Sequence, residues 1–284
     1  MSPDARKWLN RIGALLGLAG AAFVGLRLTH YAGEIDAKRI GAGGYLGLTV
    51  LALIYGASNV LLALAWWRLL HRLGVSVTRG WALRTYAVSQ LAKYVPGNIF
   101  QFAGRQAIGV AAGIGNVPLA KSTALELALI AAGGALFAPL IIPLLVERPN
   151  VVAVSVVVFM ALAGLALWLA RRLGGAALGA AALYYLAFLA LSGAVFAATF
   201  RIAGGALSGA GLPGIVGAYV LAWLAGLVTP GAPAGIGVRE AVLLFLLAGF
   251  AAPPTILLAV VIGRAVTVLG DLGFYLVGGH VDAR

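Results

Sequence analysis

Eight ionisable residues, Lys93, Arg105, Lys121, Glu126, Arg239, Glu240, Arg264 and Asp271, fall within or beside long apolar segments. Such a residue at the centre of a membrane helix costs about 2.5–3.5 kcal/mol on insertion scales, so a group of this size implies a buried polar network. Arg105 and Arg239 have the strongest functional case, because each follows a Pro-Gly pair that breaks a helix. A broken helix exposes unpaired N–H groups and helix-end partial charge, and a helix N-terminus beside an arginine makes an anion site. The planar guanidinium fork suits phosphate oxygens, which it binds bidentately. The chemistry these residues predict is therefore recognition of an anion, with Lys93, Asn98, Gln101, Arg105, Arg239, Glu240 and Arg264 as the binding set. Glu126 and Asp271 are the candidates for proton coupling.

Each charge also has a structural reading. Lys93 and Lys121 can snorkel to an interface. Glu126 lies about one turn deeper than Lys121 and could be its partner. Arg264 and Asp271 are seven residues apart, hence on one helix face, and could form a structural pair. Glu240 could neutralise Arg239 or carry a proton, and the sequence leaves both open.

Other chemistry has little support. The chain has no cysteine, so thiolate nucleophiles and thiolate metal sites are excluded. His30, His71 and His280 sit apart at the ends of apolar runs, without metal-ligand spacing. No Walker motif or dinucleotide fingerprint occurs. No cofactor and no metal are expected, and the chain reads as a non-enzyme. The net charge of +12 is spread over loop ends. It reads as membrane orientation and contact with anionic headgroups, with no nucleic-acid partner.

The elements that position these residues are apolar helices. Of the 284 residues, 62% are hydrophobic and only 10% are charged, with a mean hydropathy of +1.03. Soluble domains carry roughly 25% charged residues. The pattern predicts an all-α, polytopic helical membrane protein forming a single integral membrane domain over 1–284. Spans are expected at about Ile12–Leu28, Tyr45–Trp67, Ser122–Leu145, Val151–Leu169, Ala177–Phe200 and Thr255–Val277. Trp66 and Trp67 are expected at the membrane interface. Basic loops around Arg68–Arg84 and Arg171-Arg172, with parity, place both termini in the cytoplasm and the chain in the cytoplasmic (inner) membrane.

Two regions, about 86–115 and 214–250, are apolar but interrupted, and read as broken or re-entrant helices. Pro96-Gly97 is followed nine residues after the proline by Arg105-Gln106-Ala107, and Pro230-Gly231 at the same distance by Arg239-Glu240-Ala241. Parity makes these an inverted repeat, the sequence pointer to a transporter site. Beside the first break, Asn98 and Gln101 are candidate hydrogen-bond partners for a headgroup. Tyr86, Tyr94, Phe100 and Phe102 read either as a lipid path or as interfacial packing.

At these motifs the chain resembles the transmembrane region of lysyl-phosphatidylglycerol synthases, the MprF-type flippase domain and its stand-alone relatives. Leu91-Ala92-Lys93-Tyr94-Val95-Pro96-Gly97 with Arg105, the stretch Pro230 to Glu240, and Arg264 carry the resemblance. The second stretch is similar to a Pro-Gly-Gly-x-Gly-x-Arg-Glu pattern but has Ala232-Pro233-Ala234 between Gly231 and Gly235. The resemblance implies lipid translocation without the soluble aminoacyl-transfer domain. The substrate it implies is a polyprenyl-phosphate-linked sugar or an aminoacylated or anionic phospholipid, with a glycosyltransferase or lipid synthase as a partner. Alternatives are a secondary transporter of a small solute and a non-transporting membrane partner of a glycosyltransferase.

Overall fold

Long segments that are apolar all round, with no alternating pattern, leave helices as the way to satisfy backbone polar groups in a bilayer. The computed structural model describes residues 41–95, 99–146, 148–207, 211–229, 235 and 237–282, and among these no strand occurs. The expected first span Ile12–Leu28 and the charges Glu34 to Arg39 lie outside the described residues. The helices are α1 (Ala42–Arg72), α2 (Arg79–Gln90) with a 3₁₀ turn (Leu91–Tyr94), α3 (Phe100–Ala111), and α4 (Asn116–Ala135), followed by a 3₁₀ turn (Ala138–Ile141) and α5 (Ile142–Leu145). Then come α6 (Val151–Ile202), α7 (Gly211–Val228), α8 (Val238–Leu247) and α9 (Pro253–Gly278). Among the described residues, five helical stretches are long and apolar enough to cross a membrane: Gly43–Arg72, Asn116–Leu145, Val151–Ile202, Gly211–Val228 and Pro253–Gly278. The protein is an all-α polytopic membrane protein.

The 52-residue α6 doubles back at Gly175, whose φ of 74° and ψ of −176° only glycine adopts without strain. A Cβ placed on Gly179 would lie 3.3 Å from the Arg171 Cα. Residues eight apart in a straight helix are about 12 Å apart. The expected spans Val151–Leu169 and Ala177–Phe200 are thus the two arms of one sharply bent helix. Arg72 pins the bend to the end of α1 by donating to the Gly174 carbonyl at 2.7 Å. The first arm turns Val154, Val157, Met160, Leu165, Trp168 and Leu173 outward, an apolar surface suited to lipid.

Each interrupted region folds as a helical hairpin. α2 and α3 lie side by side, with a Gly104 Cβ position 3.6 Å from the Ser89 Cβ. The far end of α3, Ala112–Gly115, shares a surface hollow with Val75–Thr78 and Trp81 at the start of α2. Both feet of this hairpin therefore stand at one end of the bundle, beside the end of α9, where Gly80 abuts Asp282. α7 and α8 form the second hairpin. Gly226 and Gly235 touch near its tip, and Gly211 meets the Phe250 ring at its feet. Phe250 also lies 6.4 Å from Phe200 near the end of α6, so these feet stand at the opposite end of the bundle.

α9 runs past both tips. It crosses α1 in near-backbone contact, since a Cβ on Gly270 would lie 2.7 Å from the Ala52 carbonyl and one on Gly56 would lie 2.7 Å from the Gly270 carbonyl. Small residues permit this approach and bring the polar groups of the two helices together. Trp66 departs from its expected interfacial place and is 1% exposed. Its indole N–H donates to Ser122 Oγ at 3.0 Å, and its ring stacks on Trp81. A buried hydrogen-bond partner removes the need for water at the indole. Trp67 keeps a partly exposed position under Arg68 and Arg79, each 4.8 Å from its ring.

Candidate functional site

Among the described residues, three ion pairs stand in the interior. The first joins the two arms of the α3–α4 turn, where Arg105 Nη1 lies 2.7 Å from Glu126 Oε2. Tyr86 donates to the other carboxylate oxygen at 2.8 Å. The rings of Tyr86, Phe102 and Trp66 surround the guanidinium at 4.3, 5.2 and 5.3 Å. The second joins the tip of the first hairpin to α9, with Lys93 Nζ 2.7 Å from Asp271 Oδ2. Asp271 is fully buried and also accepts from Tyr94 at 2.6 Å and Asn59 at 3.2 Å. Gln90 donates to Asn59 Oδ1 at 3.1 Å, which fixes the amide for Asp271. The third joins the second hairpin to α9. Arg264 Nε meets Glu240 Oε1 at 2.6 Å, and Arg264 Nη2 donates to the Gly235 carbonyl at 3.1 Å. The second Glu240 oxygen accepts from the Gly237 N–H at 2.6 Å, so this carboxylate also closes the N-terminus of α8.

These pairings differ from those the sequence suggested. Glu126 takes Arg105 and not Lys121, which is exposed. Arg264 and Asp271 share a helix face but reach to different hairpins. Glu240 neutralises Arg264 and not its neighbour Arg239, because the first turn of α8 directs consecutive side chains about 100° apart.

Arg239 is left over. It is 8% exposed, its Nε has no hydrogen-bond partner, and among the described residues no carboxylate lies within ion-pair distance. The Tyr219 ring lies 5.6 Å from its guanidinium, and among the described residues the Tyr219 hydroxyl has no hydrogen-bond partner. Arg239 lines a cavity of ≈ 60 Å³ at the centre of the bundle, room for several waters. Its lining mixes polar side chains, among them Lys93, Gln101, Arg264, Glu126 and Asp271, with apolar ones such as Leu62, Leu127, Ile130, Phe188 and Trp223. Buried polar groups normally have partners, so an orphaned guanidinium facing a cavity marks a place for an anion or ordered water.

Of the residues singled out from sequence, Lys93, Gln101, Arg239 and Arg264 are brought together on the cavity, with Glu126 and Asp271 also lining it. Glu240 stands behind Arg264. Arg105 is held away by Glu126 and its aromatic cage. Asn98, together with Pro96-Gly97 and residues 230–234 of the second motif, lies outside the described residues. Tyr86, Tyr94 and Phe102 also line the cavity. Sequence reasoning missed Asn59, Gln90, Tyr55 and Thr267. Asn59 and Gln90 carried a usable signal, since an amide in an apolar run is costly without a partner. No protein-family model matches the chain, and no curated protein matches it.

Proposed function

We propose that the protein is a lipid flippase that moves an anionic headgroup across the cytoplasmic membrane. A polyprenyl-phosphate-linked sugar is the first substrate, and an aminoacylated or anionic phospholipid the second. Membership of the MprF-type flippase-domain family is part of this proposal. The observation that carries it is Arg239, a buried guanidinium with no carboxylate in ion-pair distance among the described residues, lining a cavity of mixed polar and apolar side chains. A headgroup phosphate would pair with Arg239, with Lys93 and Arg264 beside it, while the tails stay in the bilayer. In a membrane the two hairpins are re-entrant segments entering from opposite sides, an arrangement that suits a transporter site between them. The end of the bundle carrying Arg68, Arg72, Arg79, Arg171 and Arg172 faces the cytoplasm on this reading.

The test is reconstitution in liposomes with a fluorescent anionic lipid, comparing wild type with Arg239→Ala. Translocation by wild type that falls to the protein-free rate in the variant supports the assignment. Equal translocation by both sinks it. Stabilisation by water-soluble solutes alone would move the assignment to a solute transporter.

A further inference from the structure

We infer that the cavity selects headgroups bearing a single negative charge, phosphodiesters, over phosphomonoesters and pyrophosphates that bear two or more. This rests on the flippase reading and adds the substrate's charge class. Among the described residues, the charged groups that face the cavity or pair with those that do are Lys93, Arg105, Arg239, Arg264, Glu126, Glu240 and Asp271. That is four cations against three carboxylates, so the surplus is one positive charge.

The surplus sits on Arg239, because the other charges are committed. Every carboxylate has a second donor besides its cation: Tyr86 on Glu126, the Gly237 N–H on Glu240, and Tyr94 with Asn59 on Asp271. In the empty site these contacts hold each carboxylate to its cation, since separating a buried pair strands both charges. A bound monoanion brings the cavity to neutrality. A dianion leaves one net negative charge in a poorly solvated site already lined by Glu126 and Asp271. Shape agrees with charge. A phosphodiester offers two non-bridging oxygens, the number that one guanidinium fork takes bidentately.

The test is competitive lipid binding to the full-length protein, read by native mass spectrometry. Phosphatidylglycerol (a diester) competes with phosphatidic acid (a monoester) of the same acyl chains, with dimethyl phosphate as a soluble diester. At pH 8 the diester lipid should bind about tenfold tighter or more, a difference of about 1.4 kcal/mol. At pH 5, below the second phosphate ionisation near about 6, the monoester becomes a monoanion and the gap should close. Glu240→Gln raises the surplus to two and should shift preference toward phosphatidic acid at pH 8. The pH series on wild type carries the same information should that variant fail to fold. Equal or tighter binding of phosphatidic acid at pH 8 overturns the charge rule, and loss of both lipids in Arg239→Gln would then still support the flippase reading. Anionic lipid retained by Arg239→Gln overturns both. Competition by dimethyl phosphate as strong as by phosphatidylglycerol keeps the charge rule and removes the lipid reading.

Discussion

Arg105 and Arg239 occupy matching places after the two Pro-Gly breaks, yet alanine at each should have very unequal effects on stability. Arg105→Ala strands Glu126, which is 1% exposed, beside only the Tyr86 hydroxyl. Breaking one side of a buried ion pair costs about 3–5 kcal/mol. Loss of the guanidinium from the Trp66, Tyr86 and Phe102 cage adds about 0.5–2 kcal/mol. With roughly 2–4 °C per kcal/mol for a chain of this order, the pair alone is worth a fall of about 6–20 °C in Tm. Arg239→Ala removes a buried charge with no ion-pair partner among the described residues and loses the Tyr219 ring contact at 5.6 Å, so it should change Tm by no more than a few degrees. The assay is thermal unfolding of purified protein in one detergent. Arg105→Met with Glu126→Leu should recover most of the loss, because an apolar pair can replace a buried salt bridge at little cost. Equal destabilisation by the two alanine variants, or a double variant worse than Arg105→Ala, would refute the division between a structural and a ligand-binding arginine.

Three further outcomes are expected. Asp271→Ala leaves Lys93, Tyr94 and Asn59 without their shared acceptor and should lower stability by about 3–5 kcal/mol, measured by the same unfolding assay. Gly270→Val forces a branched side chain into the Ala52 carbonyl and should cost about 1–3 kcal/mol or prevent folding, read from the yield of monodisperse protein. Gly175→Ala places a Cβ at a φ of 74° and should cost about 1–3 kcal/mol while leaving Arg239-dependent lipid binding intact, because the bend lies at the end of the bundle.

The interruptions were legible because their cause is local. Proline removes a donor and glycine frees the backbone, and the helices stop at Tyr94 and Val228 and resume at Phe100 and Val238. Membrane character was legible from composition for the same reason. Partner choice was not. Spacing places Arg264 and Asp271 on one face of α9 but says nothing about which hairpin stands opposite each. Adjacency suggested Arg239–Glu240, whereas Glu240 turns to Arg264 and to its own helix terminus. Trp66 read as interfacial because Ser122, fifty-six residues away, had no visible link to it. The bend at Gly175 looked like an ordinary loop, since the sequence shows a basic pair and two glycines but not that helix persists on both sides.

The arrangement around α9 bears on how a headgroup could pass. The helix offers a cation, Arg264, to the tip of the second hairpin and a carboxylate, Asp271, to the tip of the first. The two clamps therefore have opposite polarity relative to α9. On the proposed reading, an anion held by Arg239 attracts Arg264 and Lys93 together, and so competes with Glu240 on one side and Asp271 on the other. The competition is unequal. Asp271 is fully buried with four donors, Lys93, Tyr94, Asn59 and Gln90, whereas Glu240 is 25% exposed and has Arg264 and one backbone N–H. Glu240 is partly exposed and gives up less buried contact on parting from Arg264, while Asp271 would be left wholly buried. The second hairpin is thus the more readily released of the two. An anion arriving at Arg239 would loosen the bundle on that hairpin's side before the Lys93–Asp271 clamp yields.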